Sequence, residues 1–245
     1  MRTKYIPNVV VGLFFMVLIA APSWAQEGPT NLQVFPKETT REQVTAQMRH
    51  FAFALNVRCT HCHVRREGGG GMDFASDSNP NKETARAMMR MVETINIDLL
   101  AAIPNRDDPP VVVTCKTCHR GTVKPRVLGQ ELLLAAHKGG AEAAVAKFNE
   151  LQENFGDVGA YDFREWETNT VAERLSDEGN HHDALIIYQM NLERFPESPS
   201  IWFGIAEQHE ALGDLEKAIE ALEKSAALDP RNRETAAKLK ELKGI

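Results

Sequence analysis

The chain has 245 residues, enough for one or two domains. Its apolar fraction of 43% and charged fraction of 25% are those of an ordinary globular protein. A formal net charge of −6 speaks against a nucleic-acid partner and leans towards a basic docking partner.

Residues 1–25 have the layout of a secretory leader. Arg2 and Lys4 precede an apolar run over 9–21, and Ser23 and Ala25 supply the small residues of a cleavage site. The run is shorter than the about 20 residues of a bilayer span, so cleavage after Ala25 is expected. No cysteine stands there for lipid attachment. The mature protein is expected in the periplasm or a similar extracytoplasmic space, soluble or peripherally bound to a membrane.

The next element is an amphipathic helix over 40–56, with Val44, Met48, Phe51 and Leu55 at helical spacing. Thr39 or Thr40 is the expected cap. Met48 and His50 point to different sides of this helix, and burial favours Met48 as the side chain facing inwards. Then come Cys59-Thr60-His61-Cys62-His63, a run of four glycines over 68–71 expected as a flexible loop, and a helix opened by Asn79 and Pro80. That helix carries Ala85, Met88, Met89, Val92, Ile95 and Leu99 at helical spacing, with Met91 as a further methionine. Periodicity does not choose among Met88, Met89 and Met91. A proline-rich loop over 104–110 leads to a short extended run and to Cys115-Lys116-Thr117-Cys118-His119.

All four cysteines of the chain thus sit in two CxxCH motifs. Cys59 with Cys62, and Cys115 with Cys118, have the spacing at which two thiols form thioethers to one haem. His63 and His119 would then supply the proximal nitrogens to iron. The expected cofactors are two covalently bound c-type haems. A disulfide in each pair, or one zinc shared by both, would leave two histidines in register unexplained. A thioredoxin-like pair needs a βαβ setting that is missing here. His61 reads as a solvent-facing residue.

The segment from Met48 to Pro125 resembles the tetrahaem cytochrome subunit of bacterial photosynthetic reaction centres. The features that carry the likeness are Met48 on a helix 11 residues before Cys59, Asn79-Pro80 with Lys82 and Thr84-Ala85-Arg86, and Met88 with Met91. Ile95-Asn96, Val113-Thr114 and the tail His119-Arg120-Gly121 with Pro125 complete it. The resemblance covers one haem pair, half of that module. It implies Met48 opposite His63 on the first iron, and Met88 opposite His119 on the second, with Met91 as the fallback. It also implies electron transfer with a redox donor and acceptor, including a membrane complex or a reaction centre as partner.

The last third of the sequence repeats every 34 residues: Gly179 with Gly213, Ala184 with Ala218, Pro196 with Pro230. This is the period of tetratricopeptide repeats. The region 165–230 resembles two such repeats, 232–242 a capping helix, and 141–155 a degenerate half-repeat. A groove for a protein or peptide is the function such repeats imply. His137, His181, His182 and His209 read as ordinary packed or exposed histidines.

The expected architecture is all-α: leader 1–25, dihaem domain 26–130, helical connector 131–164 and repeat domain 165–245. The leading function is a non-enzymatic electron carrier with two His/Met haems. The rivals are a dihaem peroxidase, which needs an open iron position, and a repeat scaffold that responds to redox state.

Overall fold

The computed structural model describes residues 28–245, and the expected leader lies outside them. Nearly every regular element is helical, as composition and period require. Helix α1, Arg41–Leu55, starts at a capping box in which the Thr40 hydroxyl accepts from Gln43 N–H and the Gln43 side chain returns a bond to Thr40 N–H. It stops at Asn56, whose left-handed backbone (φ 53°) turns the chain towards the first CxxCH motif. Cys59–His61 form a single 3₁₀ turn.

The glycine run is not a free loop. It closes a hairpin of two short strands, β1 (Val64–Arg65) and β2 (Met72–Asp73), with Val64 opposite Asp73 and Arg65 opposite Met72. Gly68, Gly69 and Gly71 take positive φ values that side chains resist, which is why the turn is glycine-rich. Helix α2, Pro80–Thr94, is capped by Asn79 and continues as one π turn over Ile95–Leu99. The second motif is itself a short helix, α3, Cys115–His119.

Helix α4, Leu128–Phe155, is bent where Gly139 and Gly140 leave helical geometry. Gly140 sits at φ 77°, so the bend needs a residue without a Cβ. The two arms, 128–138 and 141–155, make a helix pair, where the sequence suggests a connector over 131–164 with a degenerate half-repeat at 141–155. Antiparallel pairs α5 (Glu165–Asp177) with α6 (His181–Arg194), and α7 (Pro199–Ala211) with α8 (Leu215–Leu228), stack behind it. The final helix α9 spans Arg233–Lys243, where the sequence suggests a capping helix. Helices α5, α7 and α9 begin at 165, 199 and 233, intervals of 34, so α9 keeps the phase of the first helices of the repeats.

The two halves are stabilised differently. Leu128, Leu132, Phe148, Val171, Leu175, Ile187, Ile201 and Leu222 are buried in one continuous core that runs through the repeat stack. Each such side chain contributes about 1.5–3 kcal/mol. Among the described residues before Leu128, Ala54 is the one buried apolar side chain.

Close approach in the repeats depends on small residues. Tyr188 of α6 lies flat against Gly204 of α7, and a Cβ at 204 would overlap its buried ring. Gly204→Ala should therefore lower stability by about 1–3 kcal/mol. Urea unfolding of the holoprotein followed by far-ultraviolet circular dichroism checks this; an unchanged midpoint would show that the ring moves aside freely.

Candidate haem site

Each motif is held by a different kind of local structure. In the second, Thr114 caps α3 by accepting from Thr117 N–H, and Thr117 bonds back to Thr114 N–H. Thr117, one of the two residues between the cysteines, is therefore the partner in a capping box. Arg120 then takes the left-handed conformation (φ 49°) and ends the helix right after His119. The Nδ1 of His119 bonds the Thr122 carbonyl at 2.9 Å, which leaves Nε2 as the free ligand atom.

In the first motif the ring of His63 meets Phe74 edge-on at 5.1 Å, and its Nδ1 is buried without a partner. Burial, with the Lys82 ammonium nearby, depresses the pKa of His63 and so favours the neutral imidazole that a metal requires. Burial raises the thiol pKa values of Cys62 and Cys115.

The motifs are latched to helices that are distant in sequence. The side-chain amides of Asn79 and Asn81, at the start of α2, both donate to the carbonyl of His61, at 3.0 and 2.9 Å. At the far end of α2, Asn96 donates to the Val113 carbonyl and accepts from the Val113 N–H, both at 2.8 Å. This double bond in the hydrogen-bonding sense pins the strand-like segment that leads into Cys115. The second motif also returns to α1: Gly121 N–H donates to the Ala54 carbonyl at 2.9 Å, and Lys116 lies 4.6 Å from the Phe53 ring centre. The first motif is thus tied to α2, and the second to both α1 and the end of α2.

A charged knot supports the first latch. Asp77 accepts from Arg86 at 2.7 Å, Lys82 at 3.1 Å and Asn31 at 2.9 Å, while the Lys82 ammonium also bonds the carbonyls of Phe74, Ala75 and Ser76. Arg86, otherwise a surface residue type, is 7% exposed.

The methionines take two settings. Met48 is half-buried and His50 exposed. On α2, Met88 and Met91 lie about one turn apart and are exposed (40% and 46%), whereas Met89 is half-buried. Both exposed methionines therefore share a face, and the backbone does not separate them.

The donor set fits a haem at each motif. The four thiols are free and stand as two separate pairs. Among the described residues no three His, Cys, Asp or Glu side chains converge on one point, so the residues do not build a shared zinc site. Large apolar side chains are displayed around the motifs, including Phe53, Phe74, Ile97, Val111 and Val112. They match the face of a macrocycle and find few protein neighbours. Sequence reading missed the latching roles of Asn79, Asn81, Asn96 and Thr117. Only Thr117 carried a local signal, the Thr-x-x-Thr spacing of a cap.

Two outcomes follow from the latches. Asn96→Ala removes both bonds to Val113 and should cost about 1–3 kcal/mol, read as a lower urea midpoint of the holoprotein. The arginine and lysine beside Asp77 hold its carboxyl far below the unfolded value of 3.8. Its contribution is therefore complete above that value and is lost as pH falls through the lower folded value. Wild type should lose stability steeply below about pH 4, and Asp77→Asn should flatten that slope in acid unfolding; equal slopes would show that the knot is idle.

Residues 25–136 match the family model described as photosynthetic reaction centre cytochrome C subunit, and residues 199–232 match the tetratricopeptide repeat. Cytochrome c-554 of Chloroflexus aurantiacus is 32% identical over 102 residues, covering 41% of this chain and 23% of that protein. The photosynthetic reaction center cytochrome c subunit of Rubrivivax gelatinosus is 33% identical over 92 residues, covering 34% of this chain and 24% of that protein. The match thus spans about a quarter of the length of either relative. Among solved structures, MamA 41-end from Desulfovibrio magneticus RS-1 is similar at 19% identity with a TM-score of 0.34, covering 48% of this chain and 63% of that one. Residues 25–136 are therefore similar to the photosynthetic reaction centre cytochrome C subunit family, and a tetratricopeptide repeat match follows over 199–232 of the same chain.

Proposed function

We propose that the protein is an exported dihaem c-type cytochrome that carries electrons and uses its repeat stack to dock a protein partner. The observation that supports it most is the pair of CxxCH motifs, each latched to distant helices within one interlocked unit. When bound, a haem supplies an iron that stores and releases one electron. Cys59 and Cys62 would hold the first haem covalently, and Cys115 and Cys118 the second. His63 and His119 would be the proximal ligands. Met48 would complete the first iron, and Met88 the second, with Met91 as the alternative on the same face. With a histidine and a methionine both donating, each site would offer no place for a substrate, which separates a carrier from a peroxidase.

The two sites are not equivalent. A hydrogen bond from Nδ1 makes an imidazole a stronger donor and stabilises the oxidised metal. His119 makes that bond to Thr122, whereas the Nδ1 of His63 has no partner. The site at His119 should therefore hold its electron less tightly, and electrons would run from it towards His63.

Among the described residues no helix is long and apolar enough to cross a membrane. Export rests on the leader pattern in residues 1–25 alone. A membrane electron-transfer complex or a reaction centre is the partner class that the family suggests, and the repeats supply a surface for a protein or peptide.

The test is a redox titration of the periplasmically matured holoprotein, after haem content has been measured by mass and by absorption. Two haems, a sulfur-to-iron charge-transfer band that weakens in Met48→Ala, no binding of carbon monoxide to the reduced form, and the lower potential at the His119 site are the expected results. One haem would refute the dihaem reading, and ready carbon monoxide binding would turn it towards peroxidase chemistry.

A further inference from the structure

A cleft of about 510 Å³ opens where the tail of the second motif meets the repeat stack. Its wall includes Arg120, Tyr161, Asp162, Arg164, Arg194 and Phe195. Three arginines in one cleft are unexpected on a chain of net charge −6. Arg164 is spent locally: its Nε and a terminal nitrogen grip both oxygens of Asp162, and that contact holds the Asp162 carboxyl down to about 2. Asp162 is thereby neutralised and is not drawn to the other two.

Arg194 is fixed but unpaired. Its guanidinium lies 4.9 Å from the Phe148 ring centre and 5.1 Å from that of Phe195, and one terminal nitrogen donates to the Phe163 carbonyl at 2.8 Å. A guanidinium has five N–H donors, so most of its fork remains unused. Burial lowers the pKa of Arg194, which is the signature of a cation that lacks compensation. Neither Arg120 nor Arg194 has a carboxylate partner among the described residues. Half-buried cations are ordinarily paired, and a rigid fork in the same cleft as a second arginine suits binding of a carboxylate.

We propose that this cleft is a carboxylate-binding site, with Arg194 as the anchor and Arg120 as the second arm. Two sources present the same chemistry. One is a propionate of the haem held at His119, the residue next to Arg120; that source rests on the dihaem reading above. The other is the carboxylate of a dissociable small molecule. A carboxylate from either source would join the haem domain to the repeat stack by a charge contact.

The holoprotein, its haem content first established, is titrated calorimetrically with succinate at low ionic strength. Its potentials are then recorded against pH for wild type, Arg194→Gln and Arg120→Gln. Binding of succinate to wild type, weakened at least about tenfold in both variants by loss of a charge-assisted bond, identifies a dissociable ligand. No binding of succinate, together with a steeper pH dependence of one haem potential in both variants, identifies a propionate released from its guanidinium. No binding of succinate and unaltered potentials in both variants would overturn the site. Arg120→Gln decides the matter if Arg194→Gln, which also frees Phe163, fails to fold. A chain with fewer than two haems would refute the dihaem reading, while the succinate titration would still decide the cleft.

Discussion

Asn96 meets both polar groups of Val113, as a neighbouring strand would, and does so with a side chain. That one exchange fixes the approach to Cys115, and through it the position of α3 against α1. It matters because the first half of the protein has almost no apolar interior to do the same work. Among the described residues before Leu128, Ala54 alone is a buried apolar side chain, so the backbone is positioned by amides, caps and the Asp77 knot. Such bonds contribute about 1 kcal/mol each, far less than ordering a hundred residues costs. Macrocycles packed between displayed side chains would supply the missing interior. On this view the cofactor is as much a structural element as a redox centre.

The repeat half has the opposite economy. Its core is continuous, and buried polar side chains bridge its helices. Glu165 accepts from the hydroxyls of Ser198 and Ser200 at 2.6 Å each, and Asn191 joins α6 to α5 through the Glu165 carbonyl and the Asn169 side chain. Glu167 reaches from α5 to accept the Gly129 N–H at the start of α4. These contacts bind the kinked helix to the first regular repeat. They anchor the domain that carries the two CxxCH motifs at Leu128, where the core begins.

What could be read from sequence was whatever is local or periodic. The CxxCH spacings, the Asn79-Pro80 start of α2 and the 34-residue beat of Gly179 with Gly213 are of that kind. The upstream pair within α4 escaped because its break, Gly139–Gly140, lies 39 residues before Gly179 rather than 34. The intervening loop over 156–164 disturbs the phase. The hairpin escaped because a glycine run signals freedom, and the pairing of Val64 with Asp73 is not visible in a pattern two residues long. Asn96 and Val113 stood out as matching family positions, yet their contact spans 17 residues and belongs to the fold. The choice between Met88 and Met91 is open for a related reason: one turn of helix puts both on the same exposed face.

The crossed latches also impose an order of events on a chain made from its N-terminus. The amides that hold the His61 carbonyl appear 18 and 20 residues later, almost as soon as the first motif itself. The backbone partner of Ala54, Gly121, arrives only after 67 further residues. Helix α1 therefore waits, capped at Thr40 and at Asn56 but unsupported along its side, until the second motif has been synthesised. For that interval the first motif is already closed at the His61 carbonyl, while the helix before it still lacks its partner at Gly121. The interlocking that unites the two sites at the end is thus also a clock for assembling them in sequence.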